Sequence, residues 1–269
     1  MAGPERRLTT ALKRAVVGTR LEPLARRAHA LLTARQRAAR TARDQAQNER
    51  YNSQAFSVMA RVLGADSSAV DVGCHRGSYL AEMLRLAPRG THYAFEPLPD
   101  LFAALEEEYG SLGNVVLSSS ALSNEPGLRE FQHVVDYPGF SGYHRREYPS
   151  PTAAVRQLTV KAERLDDVLP ADLPVAFIKV DVEGAELEVL QGALRTLARC
   201  RPVVVFELGG GGAYGVEPSD VHDLLAGQLG MRVLPMATWL ADPAVAGLDR
   251  RAFVESHREP DSWMYMAVP

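Results

Sequence analysis

Cysteine is almost missing from this 269-residue chain: Cys74 and Cys200 are its only two. They form no CxxC pair and share no metal-ligand spacing, so a disulfide framework is not supported and a reducing cytoplasm is the simplest compartment. No apolar run approaches the ~20 residues that a bilayer-spanning helix needs. The N-terminus lacks a continuous apolar stretch ahead of a small-residue cleavage site, which speaks against export. Serine is absent from residues 1–50, which weighs against reading that Arg-rich, acid-poor stretch as a transit peptide. A basic body is missing too. Residues 51–269 carry eighteen Lys/Arg against twenty-nine Asp/Glu, a balance of −11, and that argues against a nucleic-acid-binding body.

The apolar content, 46%, is ample for a core and argues against global disorder. Charge divides the chain: residues 1–50 hold twelve Lys/Arg against four Asp/Glu, a balance of +8. Leu8, Leu12 and Val16 recur at helical spacing, as do Leu24, Ala28, Leu31 and Leu32, with a break marked by Gly18 and Pro23. Pro23 is well placed to start the second helix. Residues 1–50 therefore read as a basic helical extension packing on the main domain or on a partner subunit of a homo-oligomer. A basic arm touching a membrane surface or an anionic substrate is the alternative, disfavoured because the arginines spread around the helices.

From Tyr51 onward the pattern is that of one α/β domain, residues 51–269. Phe56, Met59, Ala60 and Leu63 give a helical stripe stopped by Gly64. Strands are expected at Ser68–Val72, Thr91–Phe95, Asn114–Leu117, Val175–Val180, Pro202–Phe206, Met231–Leu234 and Trp263–Val268. Helices are expected at Tyr79–Leu86, from Pro99 to Tyr109, after Glu186 along Leu187, Leu190, Ala193, Leu194 and Leu197, and at Ser219–Leu229 with Ser219 as N-cap. Residues 124–173 interrupt the alternation with two extra strands, Leu128–Val135 and Gln157–Ala162, around a Tyr/Pro/Gly-rich loop from Asp136 to Pro151. Loops this long inside a domain are usually functional or mobile. The alternation predicts a mostly parallel seven-stranded sheet with helices on both faces.

In such sheets ligands bind beyond the carboxyl ends of the strands. Asp71, Glu96, Asp181 and Glu207 each end a different strand, so all four fall on one edge. They repel one another unless cofactor, substrate, metal or protonation compensates; each taken alone reads as an N-cap. The first turn, Asp71-x-Gly73-x-x-x-Gly77, lacks the central glycine that lets a backbone approach a pyrophosphate, and has His75 there instead. S-adenosylmethionine has no phosphate, and its cationic amino group suits an acid near the first turn. Glu96, nineteen positions after Gly77, suits paired ribose hydroxyls. The turn therefore reads better for S-adenosylmethionine than for NAD.

Four segments carry a resemblance. Val70-Asp71-Val72-Gly73 with Gly77, Ala94-Phe95-Glu96-Pro97 with Pro99, Ser120-Ala121-Leu122-Ser123 with Gly127, and Ile178 through Glu186 together resemble the FkbM family of S-adenosylmethionine-dependent methyltransferases. The strand from Pro202 to Glu207 and the ending from Met264 to Pro269 match as well, so the resemblance spans roughly residues 51–269. Cys74-His75-Arg76 departs from the family's small or amide residues. The resemblance implies a class I Rossmann-like O-methyltransferase acting on sugar or polyketide hydroxyls. It places Asp71, Gly73 and Gly77 at the methionine end of the cofactor and Glu96, next to Pro97, at the ribose. Ser120 and Ala121 would lie near the adenine.

A sugar hydroxyl must lose its proton, so a base or a metal is expected. Asp181 is the first candidate, as base or metal ligand, with Glu207 sharing the role or orienting the acceptor. Lys179 lies two residues before Asp181 and points to the same face, offsetting the acids or serving the fold. Glu186 reads as a helix-start carboxylate, and Glu183 is balanced between that and function. His75 divides between the cofactor side and the surface. His144 lies in the long loop near Tyr137, Tyr143 and Arg145, which suits either a sugar-binding lid or a variable surface segment. No cluster has metal-ligand spacing, so a divalent metal is not indicated. Competing readings are a peptide or carboxylate methyltransferase and a cofactor-binding partner protein without catalysis.

Overall fold

The computed structural model describes residues 22–145, 148, 150, 152–208, 217–259 and 261–269, with side chains from residue 42 onward. The leading half of the expected extension, with Leu8, Leu12 and Val16, lies outside the described residues, as does the glycine run 209–212. The chain divides into two units, residues 1–50 and 51–269. Helix α1 runs from Glu22 to Val62 with Pro23 in its first turn. Residues 24–62 contain neither Gly nor Pro, so nothing breaks the helix where the charge balance changes. Among the described residues no helix is long and apolar enough to cross a membrane.

Residues 51–269 are built on a seven-stranded sheet. Its strands in chain order are β1 (Ser68–Val72), β2 (His92–Phe95), β3 (Val115–Ser118), β7 (Val175–Val180), β8 (Val203–Glu207), β9 (Arg232–Leu234) and β10 (Met264–Val268). They lie in the order β3-β2-β1-β7-β8-β10-β9. All neighbours are parallel except β10, which is antiparallel to both β8 and β9. Strand β1 is buried along its whole length, as a strand covered by helices on both faces must be. Alternate residues therefore feed two cores. Val70, Ile178, Val204 and Ala267 meet Leu190, Leu197, Val221 and Phe253; Ala69, Phe177, Val205 and Met266 meet Ala55, Met59, Tyr79 and Met83.

A small second sheet is inserted between β3 and β7. Its strands are β4 (Ala121–Leu122), a pair absent from the sequence expectations, β5 (Gly127–Val134) and β6 (Val155–Glu163). Their order is β4-β6-β5, with β6 parallel to β4 and antiparallel to β5. One face, with Phe131 and Val160, packs on Leu98 and Leu101 at the start of helix α3 (Pro99–Tyr109).

Two helical expectations need correction. The apolar stripe after Glu186 predicts one helix, but the structure has two, α5 (Glu186–Gln191) and α6 (Leu194–Cys200). Gly192 sits so close to the Ser123 carbonyl that a Cβ there would lie 2.2 Å from it. The side chain of Asp166, on the short helix α4 (Leu165–Val168), accepts from the Arg195 and Thr196 N–H groups and caps the second piece. Ser219 is not the N-cap of the next helix, α7 (Pro218–His222). Glu217 is, in a reciprocal capping box with Asp220. A π-helical turn then carries the chain through Gln228.

Candidate active site

The register of β1 against β7 pairs Asp71 with Lys179. Asp71, Lys179, Asp181 and Glu207 share the parity of Ala69 and Val205, so strand alternation turns all four toward the face covered by residues 51–62 of α1 and by helix α2 (Ser78–Leu86). Asp181 continues the ladder past the strand end, its N–H donating to the Val72 carbonyl at 3.0 Å. Gly73 makes this closure possible. It adopts φ 78°, and a Cβ there would lie 1.9 Å from the Asp181 carbonyl oxygen.

Lys179 is the node of the cluster. Its Nζ lies 3.0 Å from Asp181 Oδ2, 3.9 Å from Asp71 Oδ1 and 3.3 Å from the Gly73 carbonyl oxygen. Burial disfavours its charge, but the two carboxylates outweigh that and raise its pKa. Asp71 is fully buried, with the Cys74 thiol and the Leu80 N–H as hydrogen-bonding neighbours and Lys179 as its ionic one. Burial pushes its carboxyl up, and the Lys179 charge offsets this only in part. Asp181 is different, because its side chain keeps 29% of its surface exposed. It is the member of the trio that an incoming molecule can reach.

The turn between β1 and α2 is tied to Glu96. Its Oε2 accepts from the His75 N–H at 2.8 Å and its Oε1 from the Leu98 N–H at 2.9 Å, so the Glu96-Pro97-Leu98 corner is closed by its own carboxylate. Burial raises the Glu96 pKa and these two amides oppose the rise. His75 has φ 52° and a half-buried ring; burial lowers its pKa, helped by the charges of Arg76 and Lys179, while Asp181 opposes them. Gly77, at φ 78°, serves packing: a Cβ there would meet the Tyr109 and Leu105 side chains of α3. Ser120 is buried beyond β3, its N–H on Ser118 Oγ, and Ala121 opens β4. The Ser118 carbonyl takes the Glu96 N–H, which joins this segment to the Glu96 corner.

Glu186 is buried, and its carboxylate accepts from the Gly184 and Val182 N–H groups, bracing the loop that follows Asp181. Burial pushes it up to about 7. His144 Nε2 lies 3.7 Å from Glu188 Oε1, and Glu188 also binds Arg129 and Ser123. The segment carrying His144 borders the loop after Asp181, because Gly142 packs on the Val182 and Glu183 carbonyls. Among the described residues no three His, Cys, Asp or Glu side chains converge as a metal site.

Two residues of this cluster gave no sequence signal. Tyr79 looks like an apolar helix position, yet Lys179 Nζ lies over its ring, 4.7 Å from the centroid. Its electrostatic neighbours are Lys179, Asp181, Asp71 and Glu207, which places Glu207 in the same group. Asn52 of α1 accepts the Tyr79 hydroxyl proton at 2.9 Å. Their spacing in the chain is arbitrary, so only the fold brings them together.

Residues 71–232, from the first site carboxylate to the start of β9, match the methyltransferase FkbM domain. The chain belongs to the FkbM methyltransferase family. This FkbM methyltransferase is 31% identical over 182 residues to the 2-O-methyltransferase NoeI of Sinorhizobium fredii, covering 63% of its own length and 70% of NoeI. It is 30% identical over 167 residues to the hexuronic acid methyltransferase AglP of Haloferax volcanii, covering 58% of itself and 60% of AglP. Against the crystal structure of a methyltransferase FkbM from Methylobacillus flagellatus KT the TM-score is 0.46 at 15% identity, over 77% of this chain and 44% of the other.

Proposed function

We propose that this FkbM methyltransferase transfers the methyl group of S-adenosylmethionine to a hydroxyl of a saccharide or of a glycosylated small molecule, with Asp181 as the proton acceptor. The observation that carries this is Asp181 itself, a partly exposed carboxylate just past the end of β7, held by a buried lysine. The site suits the donor. Glu96 spends one bond per oxygen on backbone amides, and a carboxylate has lone pairs left for vicinal hydroxyls. His75 occupies the turn position where a pyrophosphate needs glycine.

When bound, S-adenosylmethionine supplies an electrophilic methyl group on a sulfonium. The chain's own residues do the rest. Lys179 fixes Asp181 through Oδ2, leaving Oδ1 to take the acceptor's hydroxyl proton as its oxygen gains the methyl group. Positioning of donor and acceptor supplies much of the acceleration, and a placed base adds about 10²–10⁴-fold. The saccharide acceptor class is supported by NoeI and AglP, whose names describe 2-O-methylation and methylation of a hexuronic acid.

Calorimetry with S-adenosylhomocysteine and with NAD tests the donor, and transfer of labelled methyl to methyl glucopyranoside and methyl glucuronopyranoside, with and without a chelator, tests the acceptor. Binding of the thioether alone and alkali-stable methyl ethers are the expected results. NAD binding without thioether binding would sink the assignment, and alkali-labile methyl esters on the glucuronide would make the enzyme a carboxylate methyltransferase.

A further inference from the structure

Nothing in the proton transfer described above uses the aromatic ring beneath Lys179. Tyr79 is 5% exposed, its ring packed edge-on against Phe56 at 5.2 Å. Its hydroxyl donates to Asn52 Oδ1, so the ring's polar end is engaged with α1. What meets Lys179 is the face, at 4.7 Å from Nζ to centroid. The same ammonium contacts Asp181 Oδ2 and the Gly73 carbonyl. The choice of lysine fits this geometry. The chain has three lysines, Lys13, Lys161 and Lys179, among thirty Lys and Arg. A compact ammonium can point its three N–H groups at a carboxylate, a carbonyl and a ring face.

We propose that Tyr79 is a positioning residue for methyl transfer: its ring face holds the Lys179 ammonium between Asp181 and the Gly73 carbonyl, and so fixes the aim of the Asp181 carboxylate. A buried cation on an aromatic face is attracted by the ring quadrupole. Remove the face and Lys179 slides toward Asp71, the other carboxylate within 4 Å. Asp181 then loses the contact that orients it, while the cofactor side of the site, Glu96 with the His75 and Leu98 amides, stays as it is. The loss falls on kcat. This proposal rests on Asp181 as the proton acceptor.

Protein labelled with ¹³C and ¹⁵N in lysine gives three sets of side-chain signals, few enough to assign by Lys→Arg replacement. The Lys179 ε-methylene and ammonium protons are expected upfield of the other two, shielded by the ring current, in the wild type and in Tyr79→Phe but not in Tyr79→Leu. This arm needs no acceptor. With the saccharide that is methylated fastest, Tyr79→Leu should lower kcat about 10- to 30-fold and change the KM for S-adenosylmethionine less than about twofold. Tyr79→Phe should recover most of that loss. Should Tyr79→Leu fail to fold, Tyr79→Met carries the same comparison. An unshielded Lys179 in the wild type overturns the proposal. So does a Tyr79→Phe enzyme as slow as Tyr79→Leu, which would move the effect to the hydroxyl. If Asp181→Asn keeps full turnover, the underlying base assignment fails; if Asp181→Asn is inactive and Tyr79→Leu turns over normally, the Tyr79 proposal alone fails.

Discussion

At the scale of single residues, the site separates carboxylates by what they touch. Asp181 is bonded through one oxygen to a lysine and reaches solvent, whereas Glu96 is buried and bonded to two backbone amides. The two should therefore fail in different ways. Asp181→Asn removes the proposed proton acceptor and keeps the shape, so turnover should fall about 10²–10⁴-fold with S-adenosylhomocysteine affinity, read by calorimetry, within a few-fold of wild type. Glu96→Ala leaves the His75 and Leu98 amides without their acceptor and removes the carboxylate proposed for the ribose, so the same titration should show a loss of about 10- to 100-fold, the cost of one or two charge-assisted hydrogen bonds. The positions of Asp71, Glu96 and Asp181 at one sheet edge were legible in the chain because each lies at the end of an apolar run. Tyr79 and Asn52 were not, since an aromatic at a helix position and an amide in a polar helix carry no local signal. His144, which read equally as part of a sugar-binding lid or of a surface segment, lies beside Glu188, a neighbour that no local pattern announced.

At the scale of elements, the loop after β7 depends on two unusual positions. Gly73→Ala would place a Cβ against the Asp181 carbonyl at a left-handed φ. A cost of about 3 kcal/mol is expected, seen as a Tm lower by about 6–12 °C. Glu186 supplies a pH dependence whose sign follows from its raised pKa. Its carboxyl titrates near 4.5 in the unfolded chain and is pushed up to about 7 when folded, so the folded state holds the proton more tightly. The resulting stability is fully present below about pH 4.5 and is lost as pH rises through about 7, a change of order 3 kcal/mol. Glu186→Gln keeps an oxygen for the Gly184 and Val182 amides and removes the titration. The wild-type minus Glu186→Gln difference in Tm should therefore decline from pH 5 to pH 8; a difference that stays flat would contradict the assignment. The break between α5 and α6 shows where periodicity misleads. The apolar stripe is continuous, but the Ser123 backbone wedges against Gly192, and a contact over that sequence distance is invisible to a local pattern.

At the scale of the whole molecule, one sheet edge gathers the cofactor turn, Asp181 and Glu207, and the inserted sheet rises beside it. A ligand that binds only this folded arrangement should stabilise it by mass action. At a hundredfold excess over Kd, S-adenosylhomocysteine should contribute about 2.7 kcal/mol and raise Tm by about 5–10 °C, whereas NAD at the same concentration should leave the melting curve in place. The sequence alone determined the seven strands of the main sheet, the α/β class and the acids on one edge. These follow from apolar runs of strand length, from turn residues between them and from the rule that such sheets bind at their carboxyl ends, all of which are local or topological facts. Tertiary structure alone decided which acids share a lysine, which carboxylate reaches solvent, that Glu217 rather than Ser219 caps α7, and that a tyrosine from α2, tied to an asparagine of α1, lies under Lys179. The physical reason is distance along the chain. Asn52, Tyr79, Lys179 and Glu207 are brought together by strand register and by the close approach of backbone at Gly73, and no local pattern of residues encodes a contact of that separation.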